Sequence, residues 1–370
     1  MRRHWGARGG VLLATAMMMG ACGRGSDEVV LQRLGSPATD DAPVIEALVS
    51  DDPPPVVALA PTTAPTTVPP TAAAPTTVAP TPAPPQPPAP PQPAVVTAAS
   101  SRSVAVFSGL GAWIDVYDWS LTFGKDGRLV EVGDIDRMAD LGVQTLYVQA
   151  SKWDSPSHVL EPERLLPLIE RAKVRGMGVV AWYLPTFEDP AFDLTRLLAI
   201  AELPVDTIAV DIESLKVSDH AERSRRLLAL STELRAARPD LTLGAIPYPP
   251  VVTEVVNPNL WPGFPWRDLA PLYDVWLPMS YQSDRKESSG YRDAERYTGE
   301  SIDRMRANLG LPNAPVHTIG GIANETSPAD VEGMLRASVP RGVLGGSLYD
   351  YRTTGDELWP SLQPFRAPGR

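Results

Sequence analysis

The stretch Asp206-Thr207-Ile208-Ala209-Val210-Asp211-Ile212-Glu213 is an apolar strand that closes on two carboxylates. Side chains alternate along a strand, so Ala209, Asp211 and Glu213 share one face while Val210 and Ile212 take the other. Seven further short runs rich in Val, Ile, Leu and Tyr flank it, near Gly111 to Asp118, Val143 to Ala150, Gly178 to Leu184, Leu241 to Tyr248, Val275 to Tyr281, Val316 to Ile322 and Val343 to Tyr351. Between them lie helical patterns at Glu131 to Leu141, Glu161 to Arg175, Asp193 to Ala201, Asp219 to Ala237, Arg267 to Leu272, Asp293 to Leu309 and Pro328 to Ala337. Several stop at a glycine placed as a helix C-cap, at Gly142, Gly176 and Gly310. Strand-helix units repeated in this order over residues 103–370 predict an α/β fold, a (β/α)8 TIM barrel. A doubly wound open sheet is the runner-up, but no Gly-rich dinucleotide fingerprint follows the first strand.

In such a barrel chemistry belongs at the C-terminal ends of the strands. Asp211 and Glu213 would then face the barrel mouth, where adjacent like charges in a partly desolvated cavity raise a pKa and keep a carboxylic acid protonated near neutral pH. The bland alternative is a solvated pair at a strand end, or one neutralised by an Arg.

The run Asp206 to Glu213 resembles the signature Asp-x-x-Asp-x-Asp-x-Glu of family 18 glycoside hydrolases, the chitinase-like barrels, with Ala209 in the place of one Asp. Leu277-Pro-Met279-Ser-Tyr281-Gln282 is similar to that family's Met-x-Tyr-Asp motif, with Gln282 replacing the Asp. The opening Gly111-Ala-Trp-Ile-Asp-Val-Tyr-Asp-Trp119 looks like a broader group of secreted or lipid-anchored bacterial barrels related to glycoside hydrolases.

The resemblance implies that Glu213 protonates the glycosidic oxygen. It also implies that Asp211 orients a substrate N-acetyl group that attacks the anomeric carbon, with Tyr281 hydrogen-bonding it. Ala209 and Gln282 depart from the pattern, so a second route stays open. In that route Glu213 is the acid and another carboxylate across the mouth, Asp115, Asp118 or Asp350, is nucleophile or base.

Aromatic residues at strand ends suit a sugar cleft, since sugar C-H faces stack on rings and phenols bond hydroxyls. Trp113, Tyr183, Tyr248, Met279, Tyr281 and Tyr349, with Gln149, Asp115 and Asp350, are the candidate substrate contacts, and the connection from Pro249 to Tyr273 adds Trp261, Phe264 and Trp266. His158, His220 and His317 lack metal-ligand spacing, so neither a metal nor a cofactor is expected. No Gly-x-Ser-x-Gly elbow and no phosphate-binding Gly-x-x-x-x-Gly-Lys-Ser/Thr loop occurs.

Composition divides the 370 residues. Seventeen of the 41 prolines fall between Pro53 and Pro93, in a stretch without a charged residue and too poor in bulky apolar groups to repay the entropy of folding. Residues 53–102 therefore read as a disordered Pro/Thr/Ala-rich linker, some 40 residues of which would extend roughly 100 Å as polyproline II. The net charge of -11 argues against a nucleic-acid partner. The single cysteine, Cys22, follows a basic start (Arg2, Arg3, Arg8), an apolar run from Val11 to Met19, and Gly20-Ala21. Met19-Gly-Ala-Cys22 resembles the lipobox of bacterial lipoproteins. That implies a signal peptide over residues 1–21, an acylated Cys22, an acidic segment to residue 52, and an extracytoplasmic protein held to the membrane. An ordinary signal peptide cleaved near Ala21 is the alternative. The sequence as a whole reads as a monomeric surface lipoprotein whose barrel hydrolyses an extracellular or cell-wall polysaccharide. The alternatives are a barrel that binds carbohydrate without cleaving it, and a cell-envelope scaffold.

Overall fold

The computed structural model describes residues 102–124 and 127–369. The leader, Cys22, the acidic segment and nearly all of the linker lie outside the described residues.

Eight parallel strands form the frame: β1 Gly109–Ile114, β2 Thr145–Gln149, β3 Gly178–Tyr183, β4 Thr207–Ile212, β5 Leu243–Pro247, β6 Val275–Trp276, β7 His317–Ile322 and β8 Gly345–Tyr349. They pair in the order β6-β5-β4-β3-β2-β1-β8-β7. Parallel bridges from Trp276 to Val316 and from Met279 to Ile319 join β6 to β7, which closes the sheet into a barrel. Around it lie α1 Val116–Trp119, α2 Val132–Asp140, α3 Pro162–Val174, α4 Pro190–Ala201, α5 His220–Ala237, α6 Trp266–Leu269, α7 Ala294–Leu309, α8 Pro328–Ser338 and α9 Trp359–Leu362. Strands β1 to β6 are buried at every position, as parallel strands covered on both faces must be. Gly142, Gly176 and Gly310 hold φ of +86°, +76° and +70° where α2, α3 and α7 end.

Three strands end at least two residues earlier than the sequence suggests. β1 stops at Ile114 because Asp115 caps α1: its carboxylate accepts from the amides of Tyr117 and Asp118, and the Asp118 carboxylate accepts from the Asp115 amide. This local bonding competes with the ladder and turns the chain into a helix. β6 is only two residues long, since Pro278 has no amide to donate. β8 likewise ends at Tyr349 rather than Tyr351.

Register sets which side chains fill the barrel, because partners in parallel strands lie side by side. Trp113, Tyr147, Val180 and Thr207 form one continuous row, and Gln149, Trp182, Ala209 and Gly244 the next. A Cβ at Gly244 would lie 3.0 Å from both Ala209 and Phe107, and 3.1 Å from Leu277, which places these four against one another inside the barrel. Phe107, from the 3-10 turn before β1, closes the bottom and contacts Tyr147 at 6.3 Å between ring centroids. Above it Trp113 stacks on Tyr147 at 4.1 Å and 9°, while Trp113 Nε1 donates to Ser347 Oγ at 2.8 Å. His317 Nε2 meets the same hydroxyl at 3.0 Å.

Candidate active site

The mouth is built where β4, β5, β6, β8 and the turn after β1 end. Asp211 is the last inward residue of β4, 6% exposed, and its Oδ1 has no hydrogen-bond partner. Burial, and then the Glu213 charge, push its carboxyl well above the usual range. Glu213 is half-buried just beyond the strand, and desolvation raises its carboxyl to about 7. No ion pair or hydrogen bond engages the Glu213 carboxylate among the described residues. Its backbone carbonyl is anchored instead, accepting from Tyr248 Oη at 2.8 Å.

Tyr281 and Tyr349 form the opposite wall, with ring centroids 6.1 Å apart. The charges of Glu213, Asp211 and Asp350 all reach the Tyr281 phenol, which burial already holds above its ordinary pKa. Tyr349 Oη donates to Asp115 Oδ2 at 2.7 Å. Asp115 is half-buried, and burial followed by the Asp350 charge raises it to about 6. Oxygens of Asp115, Asp118 and Asp350 converge within 4.8 Å. Donors already account for their positions: Tyr349 and two amides at Asp115, the Asp115 amide at Asp118, and the Thr353 amide (2.9 Å) and hydroxyl (3.1 Å) at Asp350. Arg352 lies 3.7 Å from Asp118.

The structure therefore brings Asp211, Glu213, Tyr248, Tyr281, Tyr349, Asp115 and Asp350 to one mouth, with Met279 buried on the inner wall. Four expectations are corrected. Tyr183 faces outward and donates to Asp193 Oδ1 on α4 at 2.6 Å, because β3 is phased so that Trp182 points inward. A one-residue difference in register exchanges the two faces. Trp113 is 1% exposed beneath the mouth and serves packing. Gln149 is 5% exposed and uses its Oε1 to accept the Val116 amide, fixing the start of α1. Trp261, Phe264 and Trp266 lie outside the barrel: Trp261 Nε1 donates to Ser224 on α5, and Trp266 packs on Trp276 at 5.8 Å. With Arg267 and Asn308 they line a separate cavity of about 500 Å³.

Two features escaped the sequence reading. One is Trp182, 4% exposed and 6.1 Å edge-on from Trp113, which strand alternation counted from the β2 register would have found. The other is a rim group after β2 and β4, where Lys216 Nζ sits 3.4 Å from the centre of the Trp153 ring and Lys152 Nζ 5.0 Å. These residues lie on loops and carry no periodic signal.

No family profile and no curated protein matches the chain. Its fold, however, resembles solved structures. The Bacillus cereus spore cortex-lytic enzyme SleL superposes with a TM-score of 0.50 at 11% identity, over 70% of this chain and 75% of that one. The GH18 chitinase of Cycas revoluta, solved with (GlcNAc)3 and with allosamidin, gives 0.52 at 10% identity in both structures, over 69% of this chain and 98% of the other. The likeness is one of fold, and the chain has the (β/α)8 barrel.

Proposed function

We propose that this barrel hydrolyses glycosidic bonds in an extracellular or cell-wall polysaccharide, with Glu213 as the general acid. The observation that carries this reading is the state of Glu213: a half-buried carboxyl at the mouth, raised to about 7 by desolvation and engaged by no cation among the described residues. A merely structural glutamate at a strand end would be solvated or ion-paired. The likeness to a chitinase and a cortex-lytic enzyme supports a glycan as the ligand. The test is cleavage of a panel of polysaccharides and N-acetylated glycans by the full chain and by Glu213→Gln. Binding of the same glycan by both proteins without cleavage by either selects the carbohydrate-binding reading, which Ala209 and Gln282 favour.

A general acid works only while protonated, so kcat is expected to fall as pH rises through about 7. A pH-rate profile flat from pH 6 to 9 contradicts the role.

The location follows from residues 2 to 22. Lipid attachment at Cys22 would hold the barrel outside the membrane on the linker, near an insoluble substrate. Cys22→Ala is expected to abolish incorporation of labelled palmitate, and an unaltered chain that incorporates no palmitate rules the anchor out.

A further inference from the structure

We propose that Asp115, positioned by Tyr349, is the second catalytic carboxylate, the base that activates water against the anomeric carbon. Cleavage then does not depend on a 2-acetamido group in the substrate. This inference rests on the glycoside-hydrolase reading and deepens it.

Three acidic residues stand opposite Glu213, and geometry separates them. Asp118 is 5% exposed and spends its carboxylate on the Asp115 amide, beside Arg352. Asp350 is tied into its own turn by the Thr353 amide and hydroxyl. Asp115 is half-buried and directly follows β1 in the inward phase of Gly111 and Trp113; its Oδ1 caps α1 by accepting the Tyr117 and Asp118 amides, and its Oδ2 is oriented by the phenol of Tyr349, itself a mouth residue. The Tyr281–Tyr349 ring pair links this side of the mouth to Asp211 and Glu213. Asp211 Oδ1, buried and without a partner, belongs to the same mouth.

The floor beneath Asp211 argues against the acetamido-assisted route. An Asp at position 209 would share a proton with Asp211, but Ala209 packs there against the Gly244 position with Phe107 and Leu277. Ala209, Phe107 and Leu277 are apolar, so from that side Asp211 meets no titratable group with which to share a proton.

β1 and β4 stand three strands apart, so Asp115 and Glu213 reach the mouth from separate strands, and the nucleophile of the proposed step is a water held by Asp115. In the step, Asp115 takes a proton from water as its oxygen bonds to the anomeric carbon. The bond from that carbon to the leaving oxygen breaks, and Glu213 supplies the proton that oxygen needs. The product has inverted configuration, Asp115 ends protonated and Glu213 ionised, and exchange with solvent restores both.

The base must be ionised, so activity is lost as pH falls through about 6. Asp118, Asp350 and Tyr349 act directly on Asp115, Arg352 lies beside Asp118, and Asp211, Glu213, Tyr248 and Tyr281 are the other titratable groups facing this mouth. The Tyr349 hydrogen bond lowers the Asp115 pKa, so Tyr349→Phe is expected to move the acidic limb upward, a change that a purely packing tyrosine would not make.

The experiment uses the full chain, Asp115→Asn, Asp115→Ala and Glu213→Gln on oligosaccharides and alkyl glycosides with and without a 2-acetamido group, whose leaving oxygen must be protonated, with product configuration read by NMR. Asn caps a helix as Asp does, so the first variant keeps the α1 turn. Expected are a fall in kcat of about a hundredfold or more for Asp115→Asn, inversion, and recovery of Asp115→Ala by azide with release of the inverted glycosyl azide. Asp115→Asn within threefold of the unaltered chain, or cleavage confined to acetamido substrates with retention, overturns the inference while a dead Glu213→Gln keeps the hydrolase reading. Full activity in Glu213→Gln, or no cleavage by the unaltered chain, overturns both.

Discussion

Replacing Glu213 by Gln is expected to lower kcat by about 10³-fold, within the range that positioned general acids contribute, and at the same time to make the protein more stable above neutrality. Both effects have one cause. Desolvation at the mouth raises the carboxyl from 4.5 to about 7. Its folded pKa then lies above its unfolded one, so the group's contribution to stability is fully present below about pH 4 and is lost as pH rises through about 7. At pH 8 the ionised carboxylate costs the folded state about 3 kcal/mol, and the neutral amide of Gln does not incur that cost. The neighbouring Asp211, raised by burial and by the Glu213 charge, works in the same direction. Urea unfolding at pH 4 and pH 8 measures the effect: the advantage of Glu213→Gln should appear at pH 8 and vanish at pH 4. A variant that loses activity and is less stable at pH 8 would falsify the desolvated-acid account, because it would show a carboxylate that the fold wants ionised.

How far this site was legible in the sequence depended on what each residue's position rests on. Strand alternation within Asp206 to Glu213 placed Asp211 and Glu213 on one face because a buried parallel strand leaves no freedom of phase. Helix ends were legible where a glycine had to take positive φ, as at Gly310. The reading of Tyr183 went astray because Trp182 and Tyr183 are both large and aromatic, and only pairing with β2 and β4 decides which one enters the barrel. The end of β1 was missed for a different reason. Asp115 looks like an alternating strand residue until its carboxylate is seen capping α1, a local bond that outcompetes the ladder. The aromatic connection after β5 was assigned to the mouth on composition alone. Tertiary packing against α5 and β6 put it on the outside.

Trp113→Ala is expected to destabilise the barrel by about 3–5 kcal/mol, the range for removing a fully buried large aromatic side chain. In a domain of this size that is a fall in Tm of about 10 °C. Trp113 is 1% exposed and lies flat on Tyr147 at 4.1 Å, with Trp182 and Tyr349 against its other sides at 6.1 and 6.4 Å. Removing the indole leaves a cavity directly beneath the mouth and takes away the donor to Ser347 Oγ. Trp113→Phe separates packing from hydrogen bonding: it keeps a ring on Tyr147 and loses the bond to Ser347, so it should cost about 1 kcal/mol beyond any gap it leaves. If Trp113 instead were a sugar platform, as its place near the end of β1 suggests, either change would raise KM while Tm held. Expected here is the opposite pairing, with Tm falling in both variants and KM for Trp113→Phe within twofold of the unaltered chain. The rings above it at the mouth are those of Tyr281 and Tyr349, and Trp113 acts by fixing the height at which Tyr349 meets Asp115.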